Sequence, residues 1–170
     1  SREIEAALQE HRIDLGLVEG ICRLPNLRYT TFLQDELVAV VHTGSKLSLP
    51  DEITPEDLSR IPLVLRERGS GTLDVFERAL SEHNMKLSSL NVLLYLGSTE
   101  SIKLFLEHTD CIGIVSIRSI SRELLSGTFR VIEIKGMPML REFCFAQPQG
   151  QESGLSQVLM QFAMHHNKKL

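Results

Sequence analysis

Apolar residues recur along this chain with the two spacings that distinguish helices from strands. Stripes with apolar residues three and four positions apart, such as Ile4, Ala7 and Leu8, predict amphipathic helices. Short apolar or alternating runs that stop at glycine or at polar residues predict strands. Helices are predicted within residues 2–11, 54–58, 73–80, 102–106, 117–125 and 155–163, and strands within residues 13–19, 27–32, 36–41, 61–65, 90–96, 111–116, 129–134 and 140–145.

The order of these elements predicts an α/β fold. Strand, turn and helix alternate along the chain, which implies mainly parallel sheets with helices on both faces. Residues 36–41 form a nearly continuous apolar run rich in β-branched side chains. We therefore expect this strand to be buried on both faces and central in its sheet.

Two strand-to-helix turns carry small hydroxylated residues in the same place. Ser70-Gly71-Thr72 follows one predicted strand and Ser98-Thr99 follows the next. At the carboxyl end of a parallel strand, the N–H groups and the positive dipole end of the following helix suit an anion, and hydroxyls add donors. The alternative is that these residues only cap their helices, which is the commoner use of either turn alone. Two such turns, with Arg66 and Arg68 just before the first, favour a site for a small anionic or polar ligand.

Composition limits the kinds of protein that this chain can be. It has 170 residues, of which 42% are hydrophobic, enough for a core without metal or disulfide staples. Its formal net charge is -4 and it has no cluster of five or more basic residues, which argues against DNA binding by phosphate neutralisation. Its apolar stretches fall far short of the roughly 20 residues of a membrane-spanning helix. Its first residues lack the features of a secretory signal. We therefore expect no membrane partner.

The cysteine and histidine patterns point to little chemistry. Cys22, Cys111 and Cys144 are far apart, lack a C-x-x-C pair, and leave one thiol outside any disulfide scheme. A reducing cytoplasm fits this usage best, and we expect the thiols to behave as small core residues. The six histidines show no H-x-x-x-H spacing, and the sequence offers no recognisable nucleophile with a base. We therefore expect no catalytic residue, no metal site, no cofactor and no enzymatic activity.

Six segments resemble, in order and spacing, signatures of the effector-binding domain of LysR-type transcriptional regulators, across essentially the whole chain. They are D-L-G-L-V-E (Asp14–Glu19), D-E-L-V-A-V-V (Asp35–Val41), P-L-V-L-R-E-R-G-S-G-T (Pro62–Thr72), G-S-T-E-S-I-K (Gly97–Lys103), I-G-I-V-S (Ile112–Ser116) and E-L-L-S-G-T-F (Glu123–Phe129). Within that family, the R-E-R-G-S-G-T turn and the segment Gly136–Phe143 resemble the branch that contains regulators of carbon-fixation and of cysteine or sulfur-assimilation operons.

The resemblance implies two α/β subdomains of periplasmic-binding-protein type, joined by two crossover segments, with the effector in the cleft between them. Residues 1–60 and 137–170 would form subdomain I, and residues 61–136 would form subdomain II. The family's domain normally opens with a strand, a helix and another strand that are absent here. The N-terminal winged helix-turn-helix that reads DNA is absent too, so we expect DNA contact only through that missing part.

The resemblance also implies site residues and partners. The positions that match the family's cleft are Ser1 at the first helix start, Ser70, Gly71 and Thr72 at a helix start of subdomain II, Ser98 and Thr99 on the next turn, and Arg141 as a charge partner of the effector. The helices at residues 2–11 and 71–83 would join copies into a homodimer or homotetramer. The expected function is effector binding and oligomerisation in a bacterial, cytoplasmic transcription regulator that senses a small anionic metabolite. The alternative is a free-standing periplasmic-type solute-binding protein, which a signal peptide upstream of Ser1 would indicate.

Overall fold

A computed structural model describes residues 2–19, 24–150 and 154–167 of the chain. Packing divides the chain into two compact units. The first unit combines the chain up to Asp35 with the chain from Arg141 onward, and the second unit is Glu36–Leu140. The chain therefore passes between the units twice. The limits of these units come from the packing of the chain. They do not test the subdomain limits that the resemblance implies, which remain a prediction.

Every helix and strand predicted from the sequence has a counterpart in the structure. Short 3-10 turns cover Pro55–Ser59, Leu87–Ser89 and Ile117–Ile120. The α-helices are α1 (Arg2–Gln9), α2 (Gly71–Glu82), α3 (Thr99–His108), α4 (Ser121–Leu125) and α5 (Gly154–Asn167), and the strands are β1 (Gly16–Glu19), β2 (Leu27–His42), β3 (Glu52–Ile53), β4 (Leu63–Arg66), β5 (Val92–Leu96), β6 (Ile112–Ser116), β7 (Phe129–Ile134) and β8 (Met139–Pro148).

In the first unit, helix α1 packs on a small antiparallel sheet. Strand β1 pairs with β8, with Gly16 opposite Ala146 and Glu19 opposite Phe143. The apolar stripe predicted for α1 faces this sheet, and its Leu8 is fully buried. The core of the unit is a cluster of buried side chains from α1, β1, β2 and β8, namely Leu8, Val18, Leu27, Cys144 and Ala146.

In the second unit, the end of β2 is the central strand, as the sequence predicts. It pairs antiparallel with β6 on one side and with β7 on the other, and the segment 37–41 is buried throughout. Beyond β6, strand β4 pairs parallel with both β6 and β5, and β3 pairs parallel with β7. The α/β class is confirmed, with parallel pairing where β4, β5 and β6 meet and antiparallel pairing where β2 joins.

Alternate side chains of this sheet form two cores, one on each face. Helix α2 contributes to one core, in which Leu73 and Phe76 share a cluster with Leu65. Helix α3 contributes to the other, in which Ile102 shares a cluster with Val64. The expected placement of helices on both faces of the sheet is therefore confirmed for this unit.

One strand is longer than the sequence indicates. The pattern predicts two extended pieces, at residues 27–32 and 36–41, whereas β2 continues without a break from Leu27 to His42. Polar residues, among them Gln34 and Asp35, separate the two apolar runs in the sequence. Asp35, however, is buried within the strand and its carboxylate accepts hydrogen bonds from Arg141. Because this ion pair offsets the cost of burying a charge, the polar stretch stays in the strand.

Candidate functional site

Three parallel strands of the second unit end at the same edge of its sheet. Strand β4 lies between β5 and β6, with Leu65 paired with Tyr95 and Val64 paired with Gly113. Helix α2 follows β4, helix α3 follows β5, and a 3-10 turn leading into α4 follows β6. Each of these begins at a serine. We call this part of the molecule the serine rim, defined by Ser70, Ser98 and Ser116.

Ser70 is the N-cap of α2. Its backbone is extended, and its Oγ accepts a hydrogen bond from the Leu73 N–H at 3.2 Å. Gly71 and Thr72 are the first residues of the helix, and the Thr72 side chain is buried. The structure therefore shows the capping role directly. The first N–H groups of a helix find no acceptor inside it and lie at its positive dipole end, so the turn also presents donors that suit an anion.

Ser98 has the same position at the start of α3. Its Oγ accepts a hydrogen bond from the Ser101 N–H at 3.1 Å and lies 2.8 Å from the Ser101 hydroxyl. Thr99 is the first residue of the helix and is partly buried. The turns after β4 and β5 thus repeat one arrangement, a serine cap followed by a threonine within the next two residues.

Ser116 is the member of the serine rim that the sequence analysis missed. It ends β6, and its Oγ accepts a hydrogen bond from the Arg118 N–H at 3.2 Å. The following helix begins as a 3-10 turn without a glycine, so the segment lacks the glycine-containing turn that marks the other two caps. The signal that could have found it is its place in the repeat, since it stands at the end of a short buried strand, as the turn of Ser70 does.

Hydrogen bonds of β4 and its following residue hold the first two turns of the rim together. The Glu67 N–H donates to the Leu96 carbonyl at 3.1 Å, and the Arg66 guanidinium donates to the Gly97 carbonyl at 3.3 Å. The same guanidinium donates to the Glu67 carboxylate from Nε at 2.8 Å and from Nη2 at 3.0 Å. These hydrogen bonds lower the pKa of Glu67 and offset the Arg66 charge.

Arg68, the other arginine that precedes the rim, has a different environment. Its side chain is exposed, and it forms no ion pair with any residue that the structure describes. It lines a cavity on the flank of α2. The two arginines that the sequence placed together therefore separate, one into an internal ion pair and one to the surface.

Arg141 belongs to the first unit and is buried between two carboxylates. Its guanidinium donates to Glu19 at 2.8 Å and to Asp35 at 2.8 Å, and it lies over the Phe143 ring at 4.8 Å. The exposed fraction of the Arg141 side chain is 9% and that of Asp35 is 2%. The sequence did not foresee these partners, because they are 122 and 106 residues away along the chain. A role of Arg141 in effector binding stays a prediction.

The remaining candidate residues from the sequence are Ser1 and the three cysteines. Ser1 and Cys22 lie outside the described residues. Cys111 and Cys144 are fully buried with free thiols, as expected for small core residues. Burial, together with the nearby Asp110 carboxylate, raises the pKa of the Cys111 thiol to about 11.

Two kinds of feature are absent from the part of the chain that the structure describes. Its His, Cys, Asp and Glu side chains form no group of three or more that could hold a metal ion. Its helices also include none that is both long and apolar enough to cross a membrane.

A sheet whose parallel strands end beside several helix N-termini defines a class of α/β proteins that bind small ligands at such ends. Comparison with known proteins identifies the family within this class. The family described as LysR substrate binding domain matches residues 1–168. The chain belongs to this family, which confirms the resemblance found in the sequence.

Relatives of the chain include transcription regulators. The uncharacterized HTH-type transcriptional regulator YeiE of Escherichia coli K12 is 32% identical over 134 residues, which are 79% of this chain and 44% of YeiE. A RuBisCO operon transcriptional regulator of Acidithiobacillus ferrooxidans is 29% identical over 126 residues, 74% of this chain and 40% of that protein. The expected likeness to the carbon-fixation branch is thus confirmed. This chain spans less than half the length of either relative.

A solved structure shows the same fold. The regulatory domain of CcmR from Synechocystis PCC6803, in complex with 2-PG, superposes with a TM-score of 0.81 at 24% sequence identity. The match covers 99% of this chain and 80% of that one. The fold of a LysR regulatory domain, related to periplasmic binding proteins, is therefore confirmed.

Proposed function

We propose that this chain is the effector-binding and oligomerisation domain of a bacterial, cytoplasmic transcription regulator. Membership of the LysR family and the two relatives named as transcription regulators support this function over that of a free-standing solute-binding protein. DNA would be contacted by a winged helix-turn-helix outside these residues. The domain would carry out no catalysis of its own, since it acts by binding.

The observation that carries the proposal is the serine rim. The N-termini of α2 and α3 and the start of a 3-10 turn follow the adjacent ends of β4, β5 and β6, each with a serine as N-cap. Their N–H groups and dipoles favour negative charge, so the proposed effector is a small anion. The CcmR domain was solved with the small ligand 2-PG, which gives a first candidate to test. Thr72 and Thr99 would supply further contacts, and Arg141 stays our prediction for an additional one.

Binding would act on transcription through a shift in populations. A ligand moves an equilibrium between arrangements of the domain only as far as its affinities for them differ. A ligand bound at the serine rim would therefore favour whichever arrangements of the domain bind it more tightly. The attached DNA-binding parts of the oligomer would then change their placement on DNA.

The experiment is a thermal-shift titration of the intact protein with inorganic phosphate, sulfate and 2-PG. A ligand at 100 times its dissociation constant adds about 2.7 kcal/mol of stability, which is a clear rise in Tm. Thr72→Val keeps the side-chain volume and removes the hydroxyl, and Ser98→Ala removes the cap. Each variant is compared with its own ligand-free Tm, because loss of a cap alone costs about 1 kcal/mol.

The proposal predicts that at least one anion raises Tm and that both variants reduce this rise. Ser89→Ala serves as the control, because it removes an exposed hydroxyl from a 3-10 turn away from the rim. A shift that is equal in wild type, Thr72→Val and Ser98→Ala would show that the rim hydroxyls only cap their helices. A shift that Ser89→Ala also loses would show a general loss of stability.

A further inference from the structure

The ammonium group of Lys103, on helix α3, has three acceptors around it. Its Nζ lies 2.9 Å from Glu100 Oε1 on the same helix and 2.6 Å from Glu123 Oε1 on α4. It also donates to the Ser119 carbonyl at 3.2 Å. The exposed fraction of the Lys103 side chain is 12%, and that of the Glu123 side chain is 20%. An ammonium group has three N–H donors, so these partners occupy all of them.

The protonation of these groups favours a strong contact between α3 and α4. Burial alone would lower the pKa of Lys103, but hydrogen bonds to Glu123 and Glu100 raise it above its ordinary value. The hydrogen bond from Lys103 in turn lowers the pKa of Glu123. Both partners are therefore charged at neutral pH. A hydrogen bond between two charged, largely buried groups is stronger than one between neutral groups.

Lys103 connects two parts of the serine rim that the sheet does not join directly. Helix α3 follows β5, and the 3-10 turn that contains Ser119 follows β6. In the described sheet, β4 lies between β5 and β6, so these two strands share no ladder of backbone hydrogen bonds. Lys103 reaches across this gap, because two of its three partners belong to the segment after β6.

Further hydrogen bonds lead from this link to the serines of the rim. Ser119 Oγ donates to the Ser116 carbonyl at 2.6 Å, so the residue that Lys103 holds is itself bonded to Ser116. At the other end, Ser98 caps the helix that carries Lys103. A shift of the turn relative to α3 would therefore change the spacing between Ser98 and Ser116. Arg66 forms the corresponding link between the first two turns, through the Gly97 carbonyl.

We propose that Lys103 is a positioning residue for the serine rim, which fixes the start of α3 against the turn that follows β6. It acts through Glu123 and Ser119 and does not touch the anion, since its three donors are already taken by the protein. The inference rests on the function proposed for the rim.

The test compares two substitutions that break the same ion pair and change the charge in opposite directions. Lys103→Gln removes a positive charge, and Glu123→Gln removes a negative charge. If Lys103 acted on an anion only through its charge, Lys103→Gln would weaken anion binding and Glu123→Gln would strengthen it. If Lys103 positions the rim, both substitutions weaken binding.

Isothermal titration calorimetry of the intact protein with inorganic phosphate and with sulfate measures the affinity, at a temperature at which circular dichroism shows every variant to be folded. The proposal predicts that each single variant binds about tenfold more weakly than wild type. The double variant should also bind about tenfold more weakly, because both substitutions remove one interaction. Lys103→Arg should restore binding to within about threefold of wild type, since it keeps the charge and the donors.

Arg130→Gln and Asp51→Asn are the matched controls. Arg130 likewise pairs with a carboxylate, that of Asp51 at 3.1 Å, and donates to a carbonyl, that of Leu49 at 2.6 Å. Arg130 and Ile112 both pair with Val41 of β2, so Arg130 is level with the first residue of β6, whereas the rim lies where β6 ends. Both control variants should bind phosphate and sulfate like wild type.

Hydrogen–deuterium exchange without any ligand gives a second readout. Lys103→Gln and Glu123→Gln should each speed exchange in the peptide that contains residues 117–121, because this turn loses its link to α3. Lys103→Arg and Arg130→Gln should leave exchange there as in wild type.

Several results would overturn the proposal. Opposite effects of Lys103→Gln and Glu123→Gln on affinity would show that Lys103 acts through its charge. Wild-type affinity in both variants, or unchanged exchange of residues 117–121, would show that it does not position the turn, and the function proposed for the rim would stand. If neither anion binds wild type while both variants exchange faster, the function proposed for the rim fails and the inference falls with it.

Discussion

Gly113 shows how one residue sets the distance between a helix and the sheet. It lies in the buried strand β6, beneath α3. A Cβ atom added there would lie 2.9 Å from Ile102 Cγ2 and 3.1 Å from Leu106 Cδ1. The Ile102 methyl is attached at a β-branched carbon with little freedom to move. Glycine is therefore needed for close packing and not for an unusual backbone conformation.

Gly113→Ala should destabilise the protein by about 1 to 3 kcal/mol, because the added methyl overpacks the α3 side of the core. Urea unfolding followed by circular dichroism measures the change. Gly97→Ala is the matched control, since a Cβ atom at Gly97 meets no atom within 4 Å. If Gly113→Ala unfolds at the same urea concentration as wild type, the contact of α3 with β6 is looser than the distances to Ile102 and Leu106 indicate.

Single residues also show what the sequence could and could not reveal about the site. The capping roles of Ser70 and Ser98 follow from local patterns, because an N-cap bonds to an N–H only three residues ahead. The partners of Arg141 do not follow from local patterns, because Glu19 and Asp35 reach it only through the pairing of distant strands. Long-range ion pairs leave no periodic signal in a sequence.

At the scale of elements, hydrophobic patterns located the helices and strands but not their partners. The pattern of residues 36–41 indicated burial on both faces, which β6 and β7 explain. Strand β5 has an equally apolar sequence, yet Leu93, Leu94 and Tyr95 are 45%, 43% and 38% exposed. Among the described residues β5 pairs only with β4, so it lies at the edge of the sheet. An apolar edge strand of this kind is suited to contact a second chain.

This exposed strand gives a test of the proposed oligomer. Leu94→Lys should shift the intact protein toward smaller species, because a charge would be buried at an interface that includes β5 and the neighbouring α2. Sedimentation velocity measures the shift. Leu104→Lys is the control, since Leu104 is also exposed, at 61%, but lies on α3. An unchanged sedimentation profile for Leu94→Lys would remove β5 from the interface.

At the scale of the whole molecule, the family resemblance supplied what local patterns lacked. Periodicity alone gave an α/β class, and the order of six motifs gave the family that the comparison confirms. The placement of Ser70, Ser98 and Ser116 along one edge of the sheet emerges only when three strands that are separate in sequence lie side by side. The tertiary pairing of β4 with both neighbours therefore builds the candidate site.

Hydrogen–deuterium exchange of the intact protein tests the central claim most directly, namely that the serine rim binds the effector. The measurement compares exchange without ligand and with the anion that gives the largest thermal shift. The account predicts slower exchange in peptides that contain the first turns of α2 and α3, because their N–H groups acquire an acceptor. Protection confined to other segments, or none at either turn while the ligand is bound, would contradict it.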